Sequence, residues 1–168
     1  MLDRRSVIGA GLALAATQPA HAQAQPVART ALGRVRGVQT GEVLSFKGIR
    51  YGAQPRRFHV PEPPQAWRGV RDAIAYGPAC PQRGLDGEAQ SEDCLFLNVW
   101  TPALSGRRPV LVYIHGGAYN TGSGSSPVTD GARLTTYGDV VVVTLNHRLN
   151  AFGYCYLASR GFPDSGNA

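Results

Sequence analysis

The residues best suited to chemistry follow an apolar run. His115-Gly116-Gly117-Ala118 stands directly after Val110-Leu111-Val112-Tyr113-Ile114 in a chain of 168 residues. Adjacent glycines let a backbone turn tightly with unblocked N–H groups. The Gly117 and Ala118 amides can then be aimed at one point where a negative oxygen develops, with Gly116 shaping the turn. That is the chemistry of an oxyanion hole in acyl transfer. The competing reading is a plain glycine turn after a strand, and a lone His-Gly-Gly does not separate the two.

Cys80 and Cys94 form the next chemical pair, 14 positions apart. In an oxidising compartment a bridge closing such a loop contributes about 3 kcal/mol; two free buried thiols are the alternative. The histidines His21, His59, His115 and His147 show no metal-ligand spacing relative to either cysteine, so a metal site is not expected. Cys155, between Tyr154 and Tyr156, reads as a small buried hydrophobe rather than a nucleophile.

These residues need elements to position them. Gly33 to Val38 alternates apolar and polar residues, and Val43 to Ile49 follows a Thr40-Gly41 turn, so the two predict a hairpin. From Tyr51 to Pro81 recurrent Pro and Gly predict an irregular covering segment anchored by Trp67. Leu95 to Trp100 is a further apolar-rich segment, stopped by Thr101-Pro102. Val110 to Ile114 and Val140 to Leu145 are near-continuous β-branched runs of the kind buried on both faces of a sheet. Between them lie a Gly/Ser-rich loop and a short helix around Asp130 to Tyr137. Strand, loop, helix and strand in that order make a parallel crossover, hence an α/β sheet whose ligand crevice lies beyond the strand ends.

Composition narrows the function classes. With 43% hydrophobic and 17% charged residues the chain is globular. The 17 basic residues exceed the 11 acidic ones, and all but Lys47 are arginines. They are scattered in ones and twos, which argues against a nucleic-acid partner. Arg4-Arg5, an uncharged stretch from Ser6 to Ala20 and Ala20-His21-Ala22 predict a cleavable export signal over residues 1–22, by the twin-arginine or the Sec route. No segment approaches the length of a membrane span. The expected location is periplasmic or secreted.

The chain resembles the type-B carboxylesterases of the α/β-hydrolase superfamily over essentially all of Thr30 to Ala168. The likeness rests on Gly33-Arg34-Val35-Arg36-Gly37, Phe46-Lys47-Gly48-Ile49-Arg50-Tyr51, Tyr76-Gly77-Pro78-Ala79-Cys80-Pro81-Gln82, Ser91-Glu92-Asp93-Cys94-Leu95-Phe96-Leu97-Asn98-Val99-Trp100, and Val112 to Ala118. Val141 to Leu149 and Asp164-Ser165-Gly166-Asn167-Ala168 continue it. The resemblance implies an α/β-hydrolase fold over residues 23–168, the amino-terminal part of a mostly parallel central sheet with an antiparallel leading hairpin. It also implies a Cys80–Cys94 disulfide, a structural ion pair between Glu92 and Arg148, and oxyanion donors at Gly117 and Ala118. Its substrates are small carboxylic esters, and serine chemistry needs neither cofactor nor metal.

The family's nucleophile lies in a Gly-x-Ser-x-Gly elbow followed by an acid and a His, and no such segment occurs in this chain. Gly122-Ser123-Gly124-Ser125-Ser126 comes close, but has Ser126 where glycine is needed. The expected roles are therefore two: ester hydrolysis by a longer protein to which this chain supplies the oxyanion strand and loop, or a non-catalytic secreted binding module on the same fold. Alone, the 168 residues are expected to be inactive.

Overall fold

The computed structural model describes residues 25–166; the expected export signal, 1–22, lies outside them. Strands β1 (Val27–Arg29), β2 (Arg34–Arg36) and β5 (Val70–Asp72) form a small sheet, with β2 antiparallel to β1 and parallel to β5. The larger sheet runs β3 (Val38–Thr40), β4 (Val43–Arg50), β6 (Phe96–Thr101), β8 (Val141–Leu145), β7 (Val110–Ile114). Helix α1 (Ala132–Gly138) precedes β8 and α2 (Asn150–Tyr154) follows it.

The expected first hairpin is divided. Gly37 ends β2, and the next residues turn away to become β3, which pairs with β4 through Thr40 and Val43. A Cβ at Gly37 would lie 2.3 Å from the Ser45 carbonyl oxygen and 2.7 Å from the Phe46 ring. Only glycine lets one strand serve two sheets at that point. Trp67 anchors the covering segment as expected: its Nε1–H donates to the Arg34 carbonyl at 3.0 Å, and its ring packs on Val35, Phe46 and Ala73.

Under α1 the core is Val43, Trp100 and Val142. Gly131 opens the helix hard against the sheet, since a Cβ there would meet Val142 and Trp100 at 2.7 to 2.9 Å. Trp100 and Phe46 are 1% and 2% exposed, and burying each contributes on the order of 3 kcal/mol. A third cluster gathers Cys80, Cys94, Leu95 and Leu149.

The strand–helix–strand crossover holds: β7 and β8 are parallel neighbours, Val110 opposite Val141 through Ile114 opposite Leu145. It is the one parallel pairing in the larger sheet among the described residues, because β4, β6 and β8 are joined antiparallel. The expectation of burial on both faces fails for β7. Its five residues are all exposed, Ile114 by 65%, because β7 is the outer strand and no described residues cover it. In β8, flanked by β6 and β7, Val142 and Thr144 are buried. No helix among the described residues is long and apolar enough to cross a membrane.

Candidate active site

Beyond Ile114 the chain makes a tight reversal. Gly117, Ala118 and Tyr119 take φ of 129°, 52° and 65° in succession. At Gly117 glycine is required, since a Cβ would stand 2.0 Å from the Thr121 carbonyl oxygen. Ala118 and Tyr119 carry side chains in the left-handed region, at a cost on the order of 1 kcal/mol each. The turn is closed from within by the Gly117 carbonyl, which accepts the N–H groups of Asn120 at 3.0 Å and Thr121 at 3.1 Å. Among the described residues nothing accepts the N–H of Gly117 or Ala118. Two unengaged donors thus sit side by side on a strained backbone.

They front a cleft of about 350 Å³ walled by Tyr119, His147, Leu149 and Tyr154. His115 and His147 stack with centroids 4.4 Å apart, and Tyr154 meets His147 edge-on at 6.2 Å. His115 Nδ1 lies 3.0 Å from the Gly116 carbonyl. A carbonyl only accepts, so Nδ1 carries the proton. Burial, and then the neighbouring His115, push His147 below the ordinary histidine range, which favours its neutral ring. The cleft offers apolar walls and backbone donors without a fixed charge, which suits a neutral carbonyl compound that becomes anionic on reaction.

The next stretch does different work. Ser123 is 2% exposed; its hydroxyl donates to Glu88 at 2.7 Å and its Oγ accepts the Ser125 N–H at 2.8 Å. The Gly124 carbonyl receives bonds from Asn98, Thr129 and Thr144, the last at 2.6 Å, while its N–H goes to Asn146 Oδ1 at 2.8 Å. Ser123 is thus held by structural hydrogen bonds. Gln82 grips Gly122 from both sides, Oε1 accepting its N–H at 2.6 Å and Nε2 donating to its carbonyl at 2.9 Å.

Glu92, expected to pair with Arg148, forms an ion pair with Arg57. Glu92 binds the Arg57 guanidinium through two hydrogen bonds, which hold its carboxyl below the usual range. Arg148, 4% exposed, donates to the carbonyl of His59 at 2.8 Å. Glu92 and Arg148 line one small cleft together with Arg57. The acidic run also uses Asp93, which takes Arg50 through both oxygens at 2.5 and 2.7 Å. Cys80 and Cys94 are buried thiols in contact. Cys94 is pushed well up, first by its hydrogen bond to Cys80 and then by burial. Cys155 is a free thiol only half-buried, because Tyr154 and Tyr156 beside it face outward. Among the described residues no three His, Cys, Asp or Glu side chains converge as a metal site requires.

Sequence reasoning missed Gln82, Asn98, Asn146 and His147 as parts of the site. Polar amides carry no pattern that announces burial, and the His115–His147 stack joins residues on two different strand ends. A sheet whose parallel pair ends in a strained glycine turn with free amides over a cleft is an α/β-hydrolase architecture. Within that class the chain belongs to the carboxylesterase family, which it matches over residues 24–168. It is 44% identical to the para-nitrobenzyl esterase of Bacillus subtilis over 144 residues, covering 79% of this chain and 29% of that one. Neuroligin-2 of Mus musculus is 37% identical over 182 residues, covering 77% and 22%. The crystal structure of a Geobacillus stearothermophilus carboxylesterase superposes with a TM-score of 0.78 at 47% identity, over 83% of this chain and 30% of that one. The chain therefore spans less than a third of the length of these relatives.

Proposed function

We propose that this chain supplies the oxyanion strand and loop of a serine-type carboxylic ester hydrolase whose nucleophile, acid and base are not among these 168 residues. The observation that carries the reading is the pair of unengaged N–H groups at Gly117 and Ala118 on the cleft wall. A serine alkoxide adds to the ester carbonyl, and the carbonyl oxygen becomes an anion that accepts both N–H groups. The alcohol then leaves, giving an acyl-enzyme that water hydrolyses. Donors already fixed in place need no reorganisation as the charge forms. Substrates are small neutral esters matched to the uncharged cleft.

The test replaces Ala118 with Pro in the full-length gene product, removing one donor hydrogen. Loss of one such donor costs about 3 to 4 kcal/mol, a hundred- to thousand-fold in kcat, with KM little changed. Ala118→Gly keeps the hydrogen and loses far less, and a thermal melt shows that both variants are folded. A folded Pro variant with kcat within about threefold of the parent makes Ala118 an ordinary turn residue. The likeness to neuroligin-2, whose name is not that of an esterase, supports a second reading as a binding module without turnover. An in-frame Gly-x-Ser-x-Gly in the same gene favours the enzyme.

We also propose export of the protein, with cleavage after Ala22 and oxidation of Cys80 and Cys94 to a disulfide, Cys155 staying unpaired. The contact between the two buried thiols supports the bridge. Non-reducing peptide mapping of the exported protein is expected to find the Cys80–Cys94 linked peptide and no Met1; full alkylation of both cysteines without reductant overturns the bridge, and retained Met1 overturns cleavage.

A further inference from the structure

The donors at Gly117 and Ala118 sit on a loop with few ties to the rest of the molecule. Among the described residues, the hydrogen bonds that leave Gly116 to Gly122 run to the adjacent His115 and, farther off in the chain, to Gln82 and Asn150. Asn150 N–H donates to the Tyr119 carbonyl at 2.7 Å. Asn150 in turn donates through Nδ2 to the Pro81 carbonyl at 2.9 Å. Gln82 takes Gly122 directly, and its remaining Nε2 hydrogen goes to the Cys80 carbonyl at 3.0 Å. Cys80 Sγ accepts the Leu149 N–H at 3.1 Å. The short segment Cys80-Pro81-Gln82 therefore fastens both halves of the loop to the buried cluster of Cys80, Cys94, Leu95 and Leu149.

Gly122 is where the loop closes on itself. With φ of 112° it lies so near the loop's start that a Cβ would be 2.3 Å from His115 Nδ1 and 2.4 Å from the Gly116 carbonyl oxygen. A shift of Gly122 therefore moves His115 and Gly116, and with them the turn that orients the two donors. The Gln82 amide uses its oxygen and both nitrogen hydrogens in this arrangement, so its plane is fixed. Glycine contributes no side chain of its own to hold the loop, and the strained φ values at Ala118 and Tyr119 persist only where neighbours over-determine them.

We infer that Gln82 is a positioning residue for the oxyanion donors, acting through Gly122 rather than by touching the substrate. The inference rests on the proposed esterase function. It is tested in the full-length gene product by Gln82→Leu, which removes the three hydrogen bonds at similar size, and by Gln82→Glu, which keeps the acceptor for Gly122 N–H and loses the donors. For Gln82→Leu kcat is expected to fall roughly tenfold to a hundredfold, less than for outright loss of a donor. KM stays within about threefold, because the donors act on the anionic oxygen. A trifluoromethyl ketone, which forms the tetrahedral anion, loses affinity by the same factor, whereas the alcohol product does not. Amide hydrogen exchange at Gly117 to Thr121 quickens roughly tenfold while β8 is unchanged. A residue with a purely structural role would alter melting without this split. Gln82→Glu shows a smaller change of the same kind, and is the variant read if Gln82→Leu does not fold. An active parent whose folded variant keeps kcat and ketone affinity within about twofold overturns the role of Gln82 alone, whatever the exchange rates do. A parent without serine-dependent turnover overturns the esterase reading, and this inference with it.

Discussion

Two glycine-rich stretches follow one another without a break, and the structure uses them in opposite ways. From Gly116 to Thr121 the backbone is strained, and the N–H groups of Gly117 and Ala118 bind no acceptor among the described residues. From Gly122 to Ser125 the backbone is tied to its surroundings: Gln82 holds Gly122, the Ser125 N–H goes to Ser123 Oγ, and Gly124 alone bonds Asn146, Asn98, Thr129 and Thr144. Composition does not separate them. The difference lies in what surrounds each: buried amides from β6 and the end of β8 fill the second stretch, while the first faces an open cleft. Donors left free in the first stretch are available to a substrate because the stretch beside them is held at Gly122 and Gly124.

The comparison predicts a large cost when the second stretch loses its partners. Asn146→Leu strands the buried Gly124 N–H and removes the donor to the Pro78 carbonyl at 3.0 Å. One buried and one half-buried group left unpaired are expected to lower stability by about 3 kcal/mol, read by urea denaturation. A loss under about 1 kcal/mol, the net worth of one ordinary hydrogen bond, would mean that water replaces the amide and that the two stretches differ less than the bonds suggest.

A smaller effect sharpens the contrast glycine by glycine. A Cβ at Gly124 would meet the backbone of Leu145 at 2.7 to 2.8 Å, whereas one at Gly116 meets nothing within 4 Å. Gly124→Ala is expected to cost about 2 kcal/mol, since β8 must shift, and Gly116→Ala to stay within about 0.5 kcal/mol. Equal losses in the two melts would break the distinction.

The smallest effect is the pH response of the cleft wall. His147 has a folded pKa below its ordinary 6.5, first through burial and then through His115. A lowered pKa favours the neutral ring in the folded state, so this contribution is present above the unfolded pKa and is lost as pH falls below about 6.5 through the folded value. His147→Gln, followed by melting between pH 8 and pH 5, is expected to flatten that part of the profile. An unchanged slope would show that His147 titrates as if exposed.

Much of the site was legible because its signals are local. The run Val110 to Ile114 followed by two glycines needs only neighbouring residues to be read, and the β7–β8 pairing bears it out. The division of the first hairpin at Gly37 was not legible, since the obstacle is the Phe46 ring on another strand. Nor was the pairing of Glu92 with Arg57, which depends on where the two side chains meet across the fold. Asn98 and Asn146 are 2% exposed, which no local pattern announces, because burial of an amide is decided by the partners that satisfy it.

The sequence by itself determined the elements and the family: β-branched runs favour strands, glycines at fixed offsets permit the turn, and the motif set from Gly33 to Ala118 is long enough to be specific. Tertiary structure alone decided which amide hydrogens stay free, which serines are locked, and that β7 lies uncovered at the sheet's edge among the described residues. The reason is range. Strand propensity and turn geometry arise from contacts a few residues apart, whereas a hydrogen bond between Gln82 and Gly122 exists only once the chain between them has folded.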